Sequence, residues 1–387
     1  MSLKWRDLKS FSSDLTEKEE GQSLTSRVEE NFQLGRGAIV SRTFYEIGSG
    51  LERKMEYTYL QVAPGQGHYT WTDYNQNGNK ELDEFDPAFF KDQADFIRIF
   101  RPGTSYIPTY INRFNQVLNI QPDRFFSQSS RAARLLSLVS NSTAYRIDKK
   151  SYRSRLIEQI NPFSNLQIDS LLVSSSTQFR NTLSFNKNNP VFGIDYHFEN
   201  NQSQTLLSYG TDKRTNKANR IVLRTHPHDI IWITNLSEKG NKQYGSTFFQ
   251  TKNYQIMYFK NDLDLTFKAG ENWQTGLSHE WRSEYNSGQA ESISVHRFES
   301  SLTYQMPAKG QIQLDVSYLS AQFSGDPNSP VGYVMLQGFQ PGHNGILSLS
   351  MRRKLNQLIQ LDFSYEARIA QGKRIIHTGN IQVRAMF

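Results

Sequence analysis

Apolar and polar side chains alternate with a period of two along the last third of the chain. The clearest stretch is 359–369, where the odd-numbered residues from Ile359 to Ile369 are apolar or aromatic and the even-numbered residues from Gln360 to Arg368 are polar or charged. Segments 297–306, 311–318 and 347–352 repeat the pattern. Successive side chains of a strand point to opposite faces. The pattern therefore predicts strands with one apolar face and one polar face.

The connections between these strands are alternately short and long. Segments 307–310 and 352–358 are predicted periplasmic turns, whereas 323–344 and 370–373 are predicted external loops. A meander of this kind is typical of outer-membrane barrels, whose strands alternate between lipid and lumen. We predict an all-β fold with an antiparallel transmembrane-type β-barrel over residues 130–387. The residues expected to face lipid are Leu361, Phe363, Tyr365, Val383 and Phe387, and those expected to face the interior are Asp362, Glu366, Gln382 and Arg384.

The chain before residue 130 has a different pattern. Residues 1–36 are polar and charged, with a possible helix around 17–32, and are predicted to be a linker or docking segment. Residues 37–125 are predicted to form a small β-rich module with a few short helices. Its expected elements are strands at 38–47 and 55–62 around the turn Gly48-Ser49-Gly50, a strand at 68–72, a helix at 86–95 and an extended segment at 96–100.

Composition supports many short strands. Only 37% of the 387 residues are hydrophobic, yet 13% are aromatic, with 25 Phe and 19 Tyr. No segment reaches the roughly 18 apolar residues that a membrane helix needs. There is no cysteine, which excludes disulfides and thiolate chemistry. The net charge of +7 comes from scattered residues without a basic block, so we expect no nucleic-acid partner.

The last strand carries a resemblance to a known class. Counting back in twos from Phe387, residues 385, 383 and 381 are Ala, Val and Ile, while Arg384 and Gln382 fall on the other face. This end resembles the C-terminal signal by which outer-membrane barrels are recognised by their assembly machinery. Together with the stretch Tyr-Thr-Trp-x-Asp-x-Asn-x-Asn-Gly upstream, it resembles large outer-membrane proteins of the Bacteroidota. The resemblance implies a location in the bacterial outer membrane and contact with the barrel-assembly machinery.

The first residues, Met-Ser-Leu-Lys-Trp-Arg, lack the apolar core of a secretory signal peptide. An outer-membrane protein must be exported across the inner membrane. The barrel prediction therefore carries the expectation that this sequence is a fragment of a longer product, and the alternative is that the barrel prediction is wrong.

The segment from Asp73 to Glu84 matches the calcium-loop spacing Asp-x-Asn-x-Asn-Gly-x5-Glu. Calcium takes six to eight hard oxygen ligands. The predicted metal ligands are Asp73, Asn75, Asn77, the carbonyl of Asn79, and Glu84. Gly78 would permit the sharp turn, and Glu81 is available directly or through water. The alternative is an ordinary polar turn, since Asn and Gly are also common turn residues. With no second matching loop, the pattern favours a single structural calcium ion.

Other chemical groups give weaker indications. His226 and His228 could bind a transition metal, but a turn around Pro227 explains them more simply. Four inward-facing charged residues could form a catalytic group or could simply line a lumen, and these are Glu299, Asp315, Glu366 and Arg384. No nucleophile elbow, phosphate-binding loop or His-Glu-x-x-His motif is present. We therefore predict a protein that is not an enzyme.

Three functions remain at this point. The first is an outer-membrane barrel in transport, secretion or envelope assembly, in contact with outer-membrane lipid and an unknown cargo or envelope protein. The second is a soluble secreted β-rich module of carbohydrate-binding type, with exposed aromatics that stack on sugars. The third is a barrel enzyme with its site at the external mouth. Detergent dependence separates the first from the second, because an apolar outer face cannot remain monomeric in water.

Overall fold

The computed structural model of the chain describes residues 2–8, 21–125, 130–152, 160–163, 172–288, 290–356 and 358–385. Eighteen strands in these ranges belong to one sheet. The α-helices described there are short, Arg131–Ser137 (α1) and Pro330–Leu336 (α2). The all-β prediction is confirmed. No helix within the described ranges is long and apolar enough to cross a membrane.

The strands are numbered in chain order. They are β1 Ser2–Leu8, β2 Gly21–Leu34, β3 Ile39–Gln61, β4 Tyr69–Trp71, β5 Phe85–Pro87, β6 Phe96–Ile120, β7 Val139–Tyr152, β8 Leu172–Phe185, β9 Phe192–Leu207, β10 Gly210–His228, β11 Ile231–Ser246, β12 Tyr254–Ala269, β13 Trp273–Asn286, β14 Ser292–Met306, β15 Gly310–Ser324, β16 Gly342–Lys354, β17 Ile359–Ala370 and β18 Ile376–Ala385. Single 3-10 turns occupy Leu82–Glu84, Lys91–Gln93, Pro122–Arg124 and Gln250–Lys252.

The ladder is an antiparallel meander. It runs from β1 through β2 and β3 to β6, and then from β6 to β18 with each strand paired to the next. The two short strands β4 and β5 pair with each other inside the long β3–β6 hairpin. Within the described ranges the ladder ends at β1 and at β18, and all ten residues of β18 are exposed.

The sheet curls into a barrel, because the segment between β5 and β6 contacts β17, which lies far along the ladder from both. Arg368 of β17 pairs with Asp92, which lies between β5 and β6, at 2.6 Å between Nη2 and Oδ2. Arg282 of β13 donates from Nη1 to the carbonyl oxygen of Met335 in α2, at 3.2 Å. The face of the sheet that carries these arginines is therefore the inner face.

The inner face carries charge and the outer face is apolar. Arg282 stands opposite Lys260 in one neighbouring strand and Val295 in the other, so all three point inward. Trp281 and Phe259, the residues next to them along the strands, point outward and are 40% and 37% exposed. Large apolar side chains continue this outer surface, among them Leu263, Phe267, Leu277, Phe298, Leu302, Val316, Tyr318, Leu347 and Ile369.

The predicted orientation of β17 and β18 agrees with this arrangement. Arg368 contacts the interior, so Asp362 and Glu366 on the same strand face share its orientation. Asp362 forms an ion pair with Arg384, at 3.5 Å between Oδ2 and Nε. Arg384, and Gln382 on the same face of β18, therefore point inward as well. Leu361, Phe363, Tyr365 and Val383 alternate with these residues and point outward. Phe387 lies outside the described residues.

The prediction of a polar linker with a helix at 1–36 was wrong where the structure describes this segment. Residues 2–8 and 21–34 are strands, and β2 pairs with β3 from Thr25 to Leu34. Val28, Phe32 and Leu34 are separated by even numbers of residues and therefore share a strand face. A partner strand that supplies the backbone hydrogen bonds overrides weak local preference.

The predicted division between a module at 37–125 and a barrel from 130 does not follow the sheet. Thr109–Ile120 of β6 pairs with Asn141–Tyr152 of β7, so the ladder is continuous across that boundary. The expected turn at Gly48-Ser49-Gly50 is also absent, because these residues lie within β3 and pair with β6. The expected helix at 86–95 is the end of β5 followed by a single 3-10 turn. The strand expected at 68–72 is confirmed as β4.

Candidate functional site

The β3–β6 hairpin carries an insertion, residues 62–95, which we call the cap. The two strands are 23 and 25 residues long, and their register shifts between Arg53 and Met55. Beyond this irregularity Met55 pairs in parallel with Leu207 at the end of β9. The far end of the hairpin therefore leaves the barrel wall and bends toward the end of β9.

An aromatic cluster organises the cap. The rings of Tyr59 and Phe85 stack with centroids 4.1 Å apart, and Phe96 meets Phe85 edge-on at 4.9 Å. The Lys80 ammonium lies 4.9 Å from the centroid of Phe96, a cation–π contact. At Gly67 a Cβ would lie 2.5 Å from the backbone nitrogen of Phe96, so only glycine fits this close approach. The cap is thus a packed unit rather than a loose loop.

Three separate parts of the barrel hold the cap. Lys252, between β11 and β12, donates to Asp86 Oδ1 at 2.7 Å and to the carbonyl of Phe85 at 2.8 Å. Tyr333 of α2 donates to the carbonyl of Pro87 at 3.2 Å. The Arg368 guanidinium lies 3.7 Å from the centroid of Phe90, beside its ion pair with the cap. Because these contacts come from β11–β12, α2 and β17, the cap spans the mouth of the barrel.

Helix α2 fills the lumen beneath the cap. Ser329 caps its N-terminus by accepting from Gly332 N at 3.0 Å, with Pro330 at the first helical position. Met335 is fully buried and Leu336 is nearly so. They belong to a cluster with inner-face residues of β12, β14 and β15, which are Ile256, Ile293, Val295, Leu319 and Ala321. The loop predicted at 323–344 therefore folds into the barrel, because its apolar residues find a dry surface there.

A cavity of about 220 Å³ separates the cap from the wall. Tyrosines line it from the hairpin, the wall and α2, and the main ones are Tyr57, Tyr59, Tyr69, Tyr244, Tyr254 and Tyr333. Arg98 lies 5.2 Å from the centroid of Tyr57, and Arg214 lies 5.2 Å from that of Tyr244. Neither guanidinium forms an ion pair with a carboxylate in the described part of the chain. Asp212 and the Asp86–Lys252 pair also line the cavity, which thus offers aromatic surface and charged groups of both signs.

Four of the predicted metal ligands, Asp73, Asn75, Asn77 and Asn79, lie together at the edge of the cap. The Asp73 carboxylate accepts from Asn77 N at 3.2 Å and from Gly78 N at 2.9 Å. The Asn77 side-chain oxygen accepts from Asn79 N at 2.6 Å. Gly78 has φ +75°, the left-handed conformation that the sharp turn requires. The backbone is therefore wound around side-chain oxygens, as the motif spacing predicts.

Glu81 and Glu84 lie in the second half of the same loop. The carboxylate of Glu81 accepts from the side-chain amides of Asn75 at 2.8 Å and Asn77 at 3.3 Å. Glu84, the last ligand in the motif, is only 2% exposed. No cluster of three or more His, Asp or Glu side chains poised for a metal occurs in the ranges described, and this loop would add amide and backbone oxygens to its carboxylates.

The other candidate groups are not assembled into a site. His226 stacks on Trp232 with centroids 4.2 Å apart, and β10 runs through Pro227 to His228 rather than turning there. Glu299, Asp315, Glu366 and Arg384 all lie on the inner face. No hydrogen bond or ion pair joins one of these four to another in the described residues. Asp315, for example, accepts from Gln313 at 3.0 Å.

Lys252 and Arg368, which seat the cap, are not among the residues predicted from the sequence. Neither has a local signature, because each acts on a partner more than a hundred residues away. Helix α2 did have a local signature, a Ser-Pro pair followed by an apolar run from Val331 to Leu336. The long connection between β15 and β16 obscured it.

Comparisons with known proteins add little. No protein-family model matches the chain, and no curated protein matches it. Among solved structures, the chain is similar to the crystal structure of the outer membrane channel DcaP of Acinetobacter baumannii. The identity is 9% and the TM-score is 0.34, with 92% of this chain and 98% of that chain covered. A TM-score this low leaves the fold and the site to rest on the geometry described above.

Proposed function

We propose that this chain is a non-enzymatic channel of the bacterial outer membrane, whose mouth is narrowed by the cap and α2. The observation that carries the proposal is the division of one continuous sheet into an apolar outer face and a charged inner face. Such a surface requires lipid on the outside, because exposed aromatic and aliphatic side chains on neighbouring strands would associate in water.

A soluble carbohydrate-binding module fits the structure less well. A β-sandwich buries its apolar face between two packed sheets. Here the described strands form one sheet, and its buried apolar side chains form two local clusters, one around α2 and one of Tyr57, Leu207 and Phe249 beside the cap. Large side chains such as Trp281 and Phe298 remain exposed on the opposite face. The arrangement therefore favours transport over soluble binding.

Small polar solutes are the cargo that the interior suits best. Ion pairs line the inner wall, such as Arg220 with Glu238 at 2.6 Å and Lys260 with Asp262 at 2.9 Å. The tyrosine-lined cavity, with Arg98 and Arg214, lies on the way past the cap. We infer that solutes pass between cap and wall, and that large folded cargo is excluded while the cap is seated.

Outer-membrane lipid is the partner expected on the outer face. The barrel-assembly machinery remains a proposed partner through the last strand. It would be tested by deleting Phe387 and measuring the yield of membrane-embedded protein that shifts in mobility on heating. An origin in the Bacteroidota stays a prediction from the sequence pattern.

The test of the channel is conductance. The full chain and a variant with residues 62–95 replaced by a short Gly-Ser turn would be refolded in detergent and inserted into planar bilayers. We expect discrete channels from both, with a severalfold larger unit conductance from the variant, because the cap no longer spans the mouth. The control is the double substitution Lys373→Ser and Arg374→Ser, which changes the charge at the same mouth and leaves the cap intact. Absence of channels from both proteins would contradict the proposal.

A further inference from the structure

Glu84 carries the one buried carboxylate oxygen in the described part of the cap's calcium-type loop that has no partner. Its Oε2 accepts from Trp71 Nε1 at 2.8 Å and from Glu81 N at 3.3 Å. Its Oε1 is buried and has no hydrogen-bond partner. An unpartnered charged oxygen in a buried position is strongly unfavourable. A cation at this oxygen would remove that penalty.

The chemistry of the loop selects the cation. Asp73, Glu81 and Glu84 carry carboxylates, the intervening asparagines carry amide oxygens, and the twelve residues of the loop include no sulfur or imidazole. All-oxygen sets with several carboxylates suit hard divalent cations. Calcium tolerates six to eight ligands in flexible geometry, whereas magnesium needs near-ideal octahedral geometry and keeps much of its water. A twelve-residue loop of protein oxygens therefore favours calcium.

The same loop is tied directly to the contacts that seat the cap. Tyr74, inside the loop, donates to Asp86 Oδ2 at 2.6 Å. Asp86 is two residues beyond Glu84 and receives Lys252 on its other oxygen at 2.7 Å. Both members of this ion pair are largely buried, with side chains 8% and 12% exposed.

We propose that one calcium ion, held by Asp73, Asn75, Asn77, the Asn79 carbonyl and Glu84, locks the cap onto the mouth of the barrel. The ion fixes Glu84, strand β5 begins at the next residue, and β5 presents Asp86 and the Phe85 carbonyl to Lys252. Loss of the ion loosens this strand and unseats the cap. Calcium therefore regulates how far the channel is occluded, an inference that rests on the proposed channel function.

Metal binding is measured first, on the full chain refolded in detergent, by calorimetric titration with calcium or magnesium alone. We expect one calcium per chain and much weaker magnesium binding. Glu84→Gln and Asp73→Asn should each lower the calcium affinity at least about tenfold, because ligand charge sets affinity in such loops. Asp83→Asn is the matched control, since Asp83 is adjacent and outside the ligand set. The site would be wrong if calcium gave no heat of binding, or if Asp83→Asn weakened calcium binding as much as the two ligand substitutions.

Coupling to the cap is measured by amide hydrogen exchange and by conductance. Adding EGTA should speed exchange in 62–95 and raise unit conductance in the wild type, and should do neither in Glu84→Gln, which is already unseated. Lys252→Met should bind calcium normally yet conduct as if calcium were absent. Calcium binding without any change in cap exchange would refute the lock.

The exchange measurement also separates the two proposals. If no channels form but EGTA still speeds exchange in the cap, the channel function fails and the calcium lock stands. If channels form with a calcium-independent cap, the lock fails and the channel stands.

Discussion

The inner face of the barrel is polar and partly exposed at one end and apolar and buried at the other. Along β15, the residues nearest the short turn are Gln311 and Gln313, which are partly exposed and bonded to each other at 3.3 Å. Eight residues further, on the same face and near the cap, Leu319 and Ala321 are buried at 4% and 3% exposure. The difference is α2, which covers the second pair and leaves the first facing an open lumen. A barrel interior is therefore polar or apolar according to what fills it.

The largest expected difference between the two ends concerns charge. Arg282 is buried near the cap and pairs with Glu284, itself 2% exposed, at 2.9 Å. Arg282→Met removes one partner of a buried pair and leaves the Lys242 ammonium 3.4 Å away as the remaining one. We expect the free energy of unfolding to fall by about 3–5 kcal/mol. Urea unfolding in lipid vesicles, followed by tryptophan fluorescence, measures it.

The matched substitution at the turn end is Arg352→Met. Arg352 is 68% exposed and its partner Asp362 keeps contacts with Gln360 and Arg384, so we expect an unchanged midpoint. Equal losses at both ends would show that the region around α2 is not dry.

The next effect concerns packing of the two short helices. Met335 of α2 is fully buried, whereas Leu136 of α1 at the turn end is 47% exposed. Met335→Ala should cost about 2–5 kcal/mol, the range for truncating a buried aliphatic side chain. Leu136→Ala should cost a small fraction of that. The same unfolding assay compares them, and a small loss at Met335 would place α2 outside the barrel interior.

The smallest effect is a gain of stability at a turn. Ala308, between β14 and β15, has φ +60°, a conformation that costs a residue with a Cβ about 1 kcal/mol or more relative to glycine. Ala308→Gly should therefore stabilise the protein by about 0.5–1 kcal/mol after the entropy of glycine is counted. Lys309→Gly, at a position without positive φ, should destabilise it slightly. A loss in both variants would refute the strained turn.

Local patterns predicted much of the wall correctly. Alternation in the last strands identified which residues of β17 face inward, because a period of two permits only two orientations and one of them exposes charge to lipid. The conformation of the loop from Asp73 to Gly78 also followed from spacing, since its hydrogen bonds join residues four and five apart. These features depend on neighbours in the chain.

The extent of the sheet and the position of the cap were decided by tertiary structure. Segment 21–34 became a strand because β3 supplies its backbone partners, and Gly48-Ser49-Gly50 stayed extended because β6 does the same. The cap is seated by pairs 166 and 276 residues apart in sequence, Lys252 with Asp86 and Arg368 with Asp92. The sequence by itself determined the strand faces and the loop spacing, because those are short-range geometry. Closure of the mouth depended on contacts that exist only once the sheet has curled.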